Sequence, residues 1–171
     1  ISHPVFMIDR TRGESGTLVS HVAASNDHAA FLKRGLPSIA ILMDIGHYVS
    51  SSWYPGYPER DSAPTWSFMV VHIHGIPKIL SQAASAKHLH DLVRHMEKGR
   101  DKPWQMKELG PGGLERRLPN IVGYEMPIEK MEIKFKLGQD ERSADMSAAI
   151  KKLREEGRDD VAEMMARHCK L

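Results

Sequence analysis

The sequence contains one cysteine, Cys169, which excludes an internal disulfide and a multi-cysteine zinc centre. A lone thiol fits a reducing compartment. Long hydrophobic runs are missing as well. The longest apolar stretches, around Ile39–Met43 and Met69–Ile73, are strand-sized and too short to cross a bilayer as a helix. No signal-peptide pattern stands at the start, so a cytoplasmic location is expected and a membrane role has no support. Charge of one sign is not in excess. There are 24 Lys and Arg against 22 Asp and Glu, interleaved along the chain. A domain that grips a phosphate backbone gathers a basic excess on one face, so direct nucleic-acid binding is unsupported. The patterns G-x-S-x-G, G-x-G-x-x-G, P-loop and H-E-x-x-H are all absent. Gly110-Pro111-Gly112-Gly113 reads as a loop, because Pro111 has no amide to offer a phosphate.

What is present suffices for a core. With 171 residues, 41% of them hydrophobic, the chain is expected to form one domain over 1–171. It opens inside a β-rich stretch, Ile1–Asp9, and a further segment upstream of it is expected. A polar turn, Arg10–Gly16, leads to a second strand, Thr17–Ala23. Ser25 or Asn26 caps a helix running through Lys33, stopped by Gly35 and Pro37. Ser38–Ile45 is largely apolar, the pattern of a strand covered on both faces. In the loop Tyr48–Pro64, residues Pro55, Gly56, Pro58 and Pro64 break regular structure. Thr65–Gly75 alternates Met69, Val71 and Ile73 against Phe68, Val70, His72 and His74.

In the second half, Gln82–Lys98 reads as a helix whose buried stripe is Leu89, Leu92, Val93 and Met96. Pro103–Pro119 is a connector with room for a short helix. Strands Ile121–Met126 and Glu132–Leu137 follow, joined by a turn at Pro127–Lys130. Two terminal helices close the chain. Ser143 caps the first, whose stripe is Met146, Ala149, Ile150 and Leu153; Gly157 breaks it, and Val161, Met164 and Met165 serve the second. The expected class is α+β, mostly antiparallel strands closing into a barrel, with peripheral helices and a C-terminal helical pair. The blocks are 1–80 for barrel strands, 81–119 for a helical insertion, 120–137 for strands and 143–169 for the helices. Beyond them, Cys169–Leu171 reads as a dispensable, solvated tail, with Arg167, His168 and Lys170 placed to lower the thiol's pKa.

Ser50, Ser51, Ser52, Trp53 and Tyr54 offer three hydroxyls, an indole and a phenol in five residues. A flavin site needs donors for phosphate and ribityl oxygens and flat walls for the ring, and this segment has both. Equally, Trp53 and Tyr54 can pack a core while the serines satisfy loop backbone. Thr65 and Trp66 carry the same two readings. His72 and His74 present two nitrogens on one strand face, for a metal or as a haem axial ligand, but spacing shows no third ligand. No metal site is assigned, and the histidines read equally as sheet and surface residues.

Five segments occur in a telling order: Ser20-His21-Val22-Ala23-Ala24-Ser25-Asn26; Tyr48-Val49-Ser50-Ser51-Ser52-Trp53-Tyr54; Ala63-Pro64-Thr65-Trp66-Ser67-Phe68 with Val71-His72 and Gly75; Ile121-Val122-Gly123-Tyr124; and Lys134-Phe135-Lys136-Leu137-Gly138-Gln139. Together they resemble the PaiB family of FMN-binding negative transcriptional regulators. The family's motifs are G-H-x-A-R-x-N, Y-I-S-P/S-S-W-Y, V-P-T-W-N-Y with V-H-x-x-G, I-V-G-F, and K-x-K-L-S-Q-N. The resemblance implies a split β-barrel that dimerises, with FMN at the subunit interface. It carries His21, Ser50, Ser52, Trp53, Tyr54, Thr65, Trp66, His72, Lys136 and Gln139 over as cofactor-contacting positions. The chain departs from the motifs at Ala24, Ser67, Phe68, Gly138 and Asp140, where a cation, hydroxyl or amide is lost or an acceptor-only carboxylate gained. The region Asp44–His47 also shortens the family's G-P-H.

Two functions follow as expectations. One is an FMN-binding regulator, a homodimer with a small-molecule ligand at its interface. The other is an enzyme on the same scaffold, either a flavin oxidoreductase or a flavin-independent catalyst with a repurposed pocket. An open sheet edge left by the missing first strand also favours association.

Overall fold

The computed structural model describes residues 1–44, 46–56, 59 and 62–169. Ile45, expected to end a strand, Pro58 of the expected loop, and the last two residues of the tail lie outside the described residues. Backbone contacts divide the chain into two compact units. The first is Ile1–Ala40 with Ile73–Met131, and the second is Ile41–His72 with Glu132–Leu171.

The first unit is built on an antiparallel sheet of order β1 (Met7–Asp9), β2 (Thr17–Ala23), β7 (Ile121–Pro127), β6 (Lys78–Ile79). In β2 the side chains of Leu18, Ser20 and Val22 are buried. Val22, Val122 and Tyr124 pack against Ala29 and Leu32 of helix α1 (His28–Lys33), and Phe6 meets the Tyr124 ring edge-on at 6.3 Å. Asn26 does take part in starting that helix, its Oδ1 accepting the His28 amide at 2.9 Å.

Helix α2 (Gln82–Met96), capped by Ser81, meets the sheet on a different stripe from the one its apolar periodicity predicts. Its buried residues are Ser85 and His88, whereas Met96 is 52% exposed. The reason lies in β7. Gly123 has no side chain, and Ser85 Oγ occupies the space a Cβ there would need. The small, polar side of α2 is therefore the one that approaches the strands.

The second sheet has order β3 (Ser38–Met43), β5 (Thr65–Gly75), β4 (His47–Val49), with β8 (Lys130–Lys136) also paired to β5. The strands β7 and β8 are thus not a hairpin. Ile128, between them, is buried and donates its amide to Gly16 O at 3.1 Å, and Glu129 donates to His74 O at 3.0 Å. Those bonds tie down the link between the two strands, which belong to different sheets. The α+β class is as expected, but the described strands form two sheets and no closed barrel.

The core of the second unit gathers Val49, Tyr54 and Leu137 with Met146, Ala149, Ile150 and Leu153 of α3 (Ser143–Glu155) and Val161, Ala162 and Met165 of α4 (Asp159–His168). The expected stripe of α3 is buried as read; in α4 Val161 and Met165 are buried, and Met164 packs against the core half-buried. Two expectations fail here. Strand β3 is not covered on both faces: Ile39, Ile41, Leu42 and Met43 are 55%, 60%, 42% and 70% exposed. Cys169 is not part of a solvated tail either. It is buried in this core, its Sγ donates to Leu137 O at 3.4 Å, and burial pushes its pKa up, with Asp140's charge adding to the rise. A terminal cysteine flanked by charges gives no periodic signal of docking, which is why sequence reasoning missed it.

Among the described residues no helix is long and apolar enough to cross a membrane.

Candidate functional site

Most of the positions that suggested ligand chemistry come together in the second unit, where β4 leads into the 3₁₀ turn Ser51–Trp53 and returns as β5. The register pairs His47 with Ser67, Tyr48 with Trp66, and Val49 with Thr65. Directly opposed residues share a face, so the Tyr48 phenol and Trp66 indole stand side by side. Each is 49% exposed, an unusual amount for neighbouring large aromatics. On the opposite face of β5, Ser67 is 1% exposed, and its Oγ is the one buried side-chain polar atom among the described residues without a partner.

The loop before β4 depends on Gly46. Its φ is +73°, a region open to glycine at little cost, and an added Cβ would strike Trp66 Nε1 and come within 2.5 Å of Ser67 O. Beside it, His47 is clamped. Arg158 Nη1 donates to His47 Nδ1 at 3.0 Å and to Gly46 O at 3.0 Å. That leaves the proton on Nε2, which donates to Glu156 Oε2 at 2.9 Å. The ring also lies 6.5 Å from that of Trp53, 23° from parallel. Sequence reasoning did not find this cluster, because Glu156 and Arg158 sit more than a hundred residues from His47 in a segment read only for its apolar stripe.

The remaining positions divide. Ser50 Oγ accepts the Ser52 amide at 3.2 Å and lies 2.8 Å from Ser52 Oγ, so it caps the 3₁₀ turn while Ser52 stays exposed. Trp53 packs against the core half-buried, and Tyr54 is 3% exposed, inside that core. Lys136 is exposed at the end of β8, with no ion-pair partner among the described residues. Gln139 closes the next turn: its Oε1 accepts Leu137 N–H at 2.9 Å and its Nε2 donates to Phe135 O at 3.0 Å. That turn explains one departure from the family motif. Gly138 has φ +80°, and a Cβ would press on Met146 Sδ at 2.6 Å. His72 is half-buried on β5. Among the described residues no three His, Cys, Asp or Glu side chains converge as metal ligands.

His21 belongs to the first unit. Its Nδ1 shares a hydrogen bond with His88 Nε2 at 3.2 Å, the rings meeting edge-on at 5.3 Å. Ala24, at the strand's end, is exposed. Burial lowers the pKa of His21; burial and then repulsion from His21 lower that of His88 to about 4. The folded chain therefore keeps His88 neutral at a pH where the unfolded chain protonates it. The sign follows: this stability is complete above the ordinary histidine value near 6.5 and is lost as pH falls towards 4. Between pH 7 and pH 4.5 the fold is expected to lose on the order of 2 kcal/mol from this site. Thermal unfolding of wild type and His88→Gln at the two pH values checks it. Equal acid losses in both proteins would remove His88 from the explanation.

The chain belongs to the family described as "Putative FMN-binding domain", whose pattern matches residues 1–130. Over 117 residues it is 32% identical to the Bacillus subtilis "Protease synthase and sporulation protein PAI 2", covering 68% of this chain and 55% of that protein. An uncharacterised Saccharomyces cerevisiae protein is 30% identical over 78 residues, 45% of this chain and 46% of that one. The chain thus spans about half the length of these two relatives. Among solved structures, the FAD and haem binding protein of Mycobacterium smegmatis aligns with a TM-score of 0.53 at 17% identity, over 85% of this chain and 66% of that one. At that identity the likeness is one of fold.

Proposed function

We propose that this chain binds FMN against the Tyr48–Trp66 face of the second unit, as a cytoplasmic homodimer, and regulates gene expression according to its flavin state. The observation that carries the reading is that aromatic pair: two flat rings side by side, half exposed, in a chain of an FMN-binding family. The donors present suit the cofactor in kind. The hydroxyl of Ser52 and the exposed ammonium of Lys136 match phosphate and ribityl oxygens, and Trp66 and Tyr48 match the ring, whereas Thr65, paired with buried Val49, lies on the other face of β5. Bound FMN would supply one- or two-electron redox chemistry. The protein's part is to hold and orient it, with His47 and Arg158 fixing the Gly46 loop behind Trp66.

Dimerisation is supported by Ile41, Leu42, Met43 and Ile133, exposed in the second unit on β3 and β8. Apolar side chains at this density on one sheet favour burial against a second copy. Regulation rests on the resemblance to the PaiB family. The balanced charge favours an effect through flavin state or a protein partner over direct DNA contact.

The test is light scattering of the purified chain with and without FMN, together with its visible spectrum. A dimer with a saturable flavin spectrum is the expected result. A monomer at micromolar concentration would refute the dimer, and a colourless protein that takes up no added FMN would refute the flavin reading.

A further inference from the structure

Trp104 is a large aromatic side chain outside both cores. It is 37% exposed, in an arm that leaves the end of α2 and folds back along it. The helix stops at Glu97, and Gly99, with φ +85°, turns the chain. Two contacts then fix the arm. Glu97 Oε2 accepts the Trp104 amide at 3.0 Å, and Gln105 and Glu108 form a reciprocal capping box that starts the 3₁₀ turn Met106–Leu109. Between helix and arm lies a groove of about 500 Å³, within the range of small-molecule sites.

Its lining has a definite chemistry. Val93, Pro103 and Met106 supply apolar surface beside the indole, and Arg94, Lys98 and Arg100 supply three cations. Glu97 is the one carboxylate, and it is already engaged by the Trp104 amide and by Arg100 Nε at 3.3 Å. Arg94 is shared with Asp91 at 3.2 Å, whereas Lys98 has no partner among the described residues. The C-terminal end of a helix is itself electronegative, so cations there are favourable without any ligand. With Arg94 held by Asp91 and Arg100 by Glu97, the ammonium of Lys98 is the charge left uncompensated at the groove among the described residues. An aromatic plane beside surplus positive charge selects a flat ring that carries an anion.

We propose that the groove between the end of α2 and the Pro103–Met106 arm is a second ligand site, for a planar aromatic anion of nucleotide size or smaller. It is lined wholly by residues of the first unit, whereas the flavin face is built from residues of the second, so its fate does not depend on the flavin reading. Trp104 provides the stacking surface and Lys98 the principal charge, with Arg100 and Arg94 at the rim.

The experiment uses the FMN-treated full chain and follows the Trp104 indole N–H by NMR, assigned through its loss in Trp104→Leu. The probes are adenosine 5′-monophosphate and 2-naphthoate, which distinguish a phosphate from a carboxylate ligand, with adenosine and inorganic phosphate as half-ligands. At least one of the two anions is expected to shift the Trp104 resonance saturably and to bind about tenfold tighter than either half-ligand. Lys98→Gln and Trp104→Leu should each weaken it by about tenfold, with binding then followed by calorimetry and melting temperatures unchanged because both side chains are exposed. The proposal is overturned if neither anion shifts the resonance at millimolar concentration, if both variants bind like wild type, or if the anion displaces FMN.

Discussion

Lys136→Met is expected to weaken FMN binding by about tenfold to a hundredfold. The substitution keeps the aliphatic stem and removes the ammonium, and with it one charge-assisted hydrogen bond, typically about 1.5–3 kcal/mol. Each 1.4 kcal/mol or so is a decade in affinity. Lys136 is the cation proposed for the phosphate, the arginine of the family motif being Ala24 in this chain. Because Lys136 is exposed at the end of β8 without an ion-pair partner among the described residues, the fold should not notice its loss. Fluorescence titration of FMN into wild type and Lys136→Met, beside their melting curves, separates the outcomes. Equal affinities would take Lys136 out of the site. A large fall in melting temperature would mean that the lysine has a structural role.

Gly46→Ala is expected to be the most disruptive single methyl group in the second unit. At φ +73° a Cβ costs about 1–2 kcal/mol in backbone strain alone. The same Cβ collides with the Trp66 indole and crowds Ser67 O, and overpacking of that kind adds about 1–3 kcal/mol. Relief requires Trp66 to move or the loop to shift away from β5, and the loop is tethered, since Gly46 O accepts from Arg158. Destabilisation of about 2–5 kcal/mol should therefore come with a loss of FMN affinity, because the displaced indole is the proposed ring wall. Denaturant unfolding and flavin titration of the same protein test both halves. A variant as stable as wild type would show that the loop yields freely, and then Gly46 does not position Trp66.

How much of this was legible without coordinates varies with the kind of signal. Strands β2 and β5 were read to the residue, because alternation over seven and eleven residues is bracketed by glycine, proline and polar turns. The stripes of α3 and α4 were equally plain, four and three apolar residues at helical spacing ending in a core. Helix α2 was found but turned the wrong way, since its seat is set by the missing side chain of Gly123, a residue on another element. For β3 the apolar run was real, but sequence could not tell a strand sandwiched in its own domain from one whose large side chains stay exposed. The site shows the same split. The motif around Ser50–Tyr54 drew attention to the segment that follows β4, yet pattern could not show that Tyr54 faces the core while Tyr48, paired with Trp66, faces out. The Arg158–His47–Glu156 clamp left no trace in the sequence, because hydrogen bonds across more than a hundred residues have no periodicity.

The central claim is that the Tyr48–Trp66 face holds FMN. The most direct test is titration of FMN into wild type and Trp66→Leu, following the quenching of flavin fluorescence on stacking against an aromatic ring. The account predicts saturable quenching in wild type and binding weaker by about tenfold or more in Trp66→Leu, the loss of one stacked aromatic contact. No saturable response in wild type, or a Trp66→Leu curve that overlays it, would contradict the account.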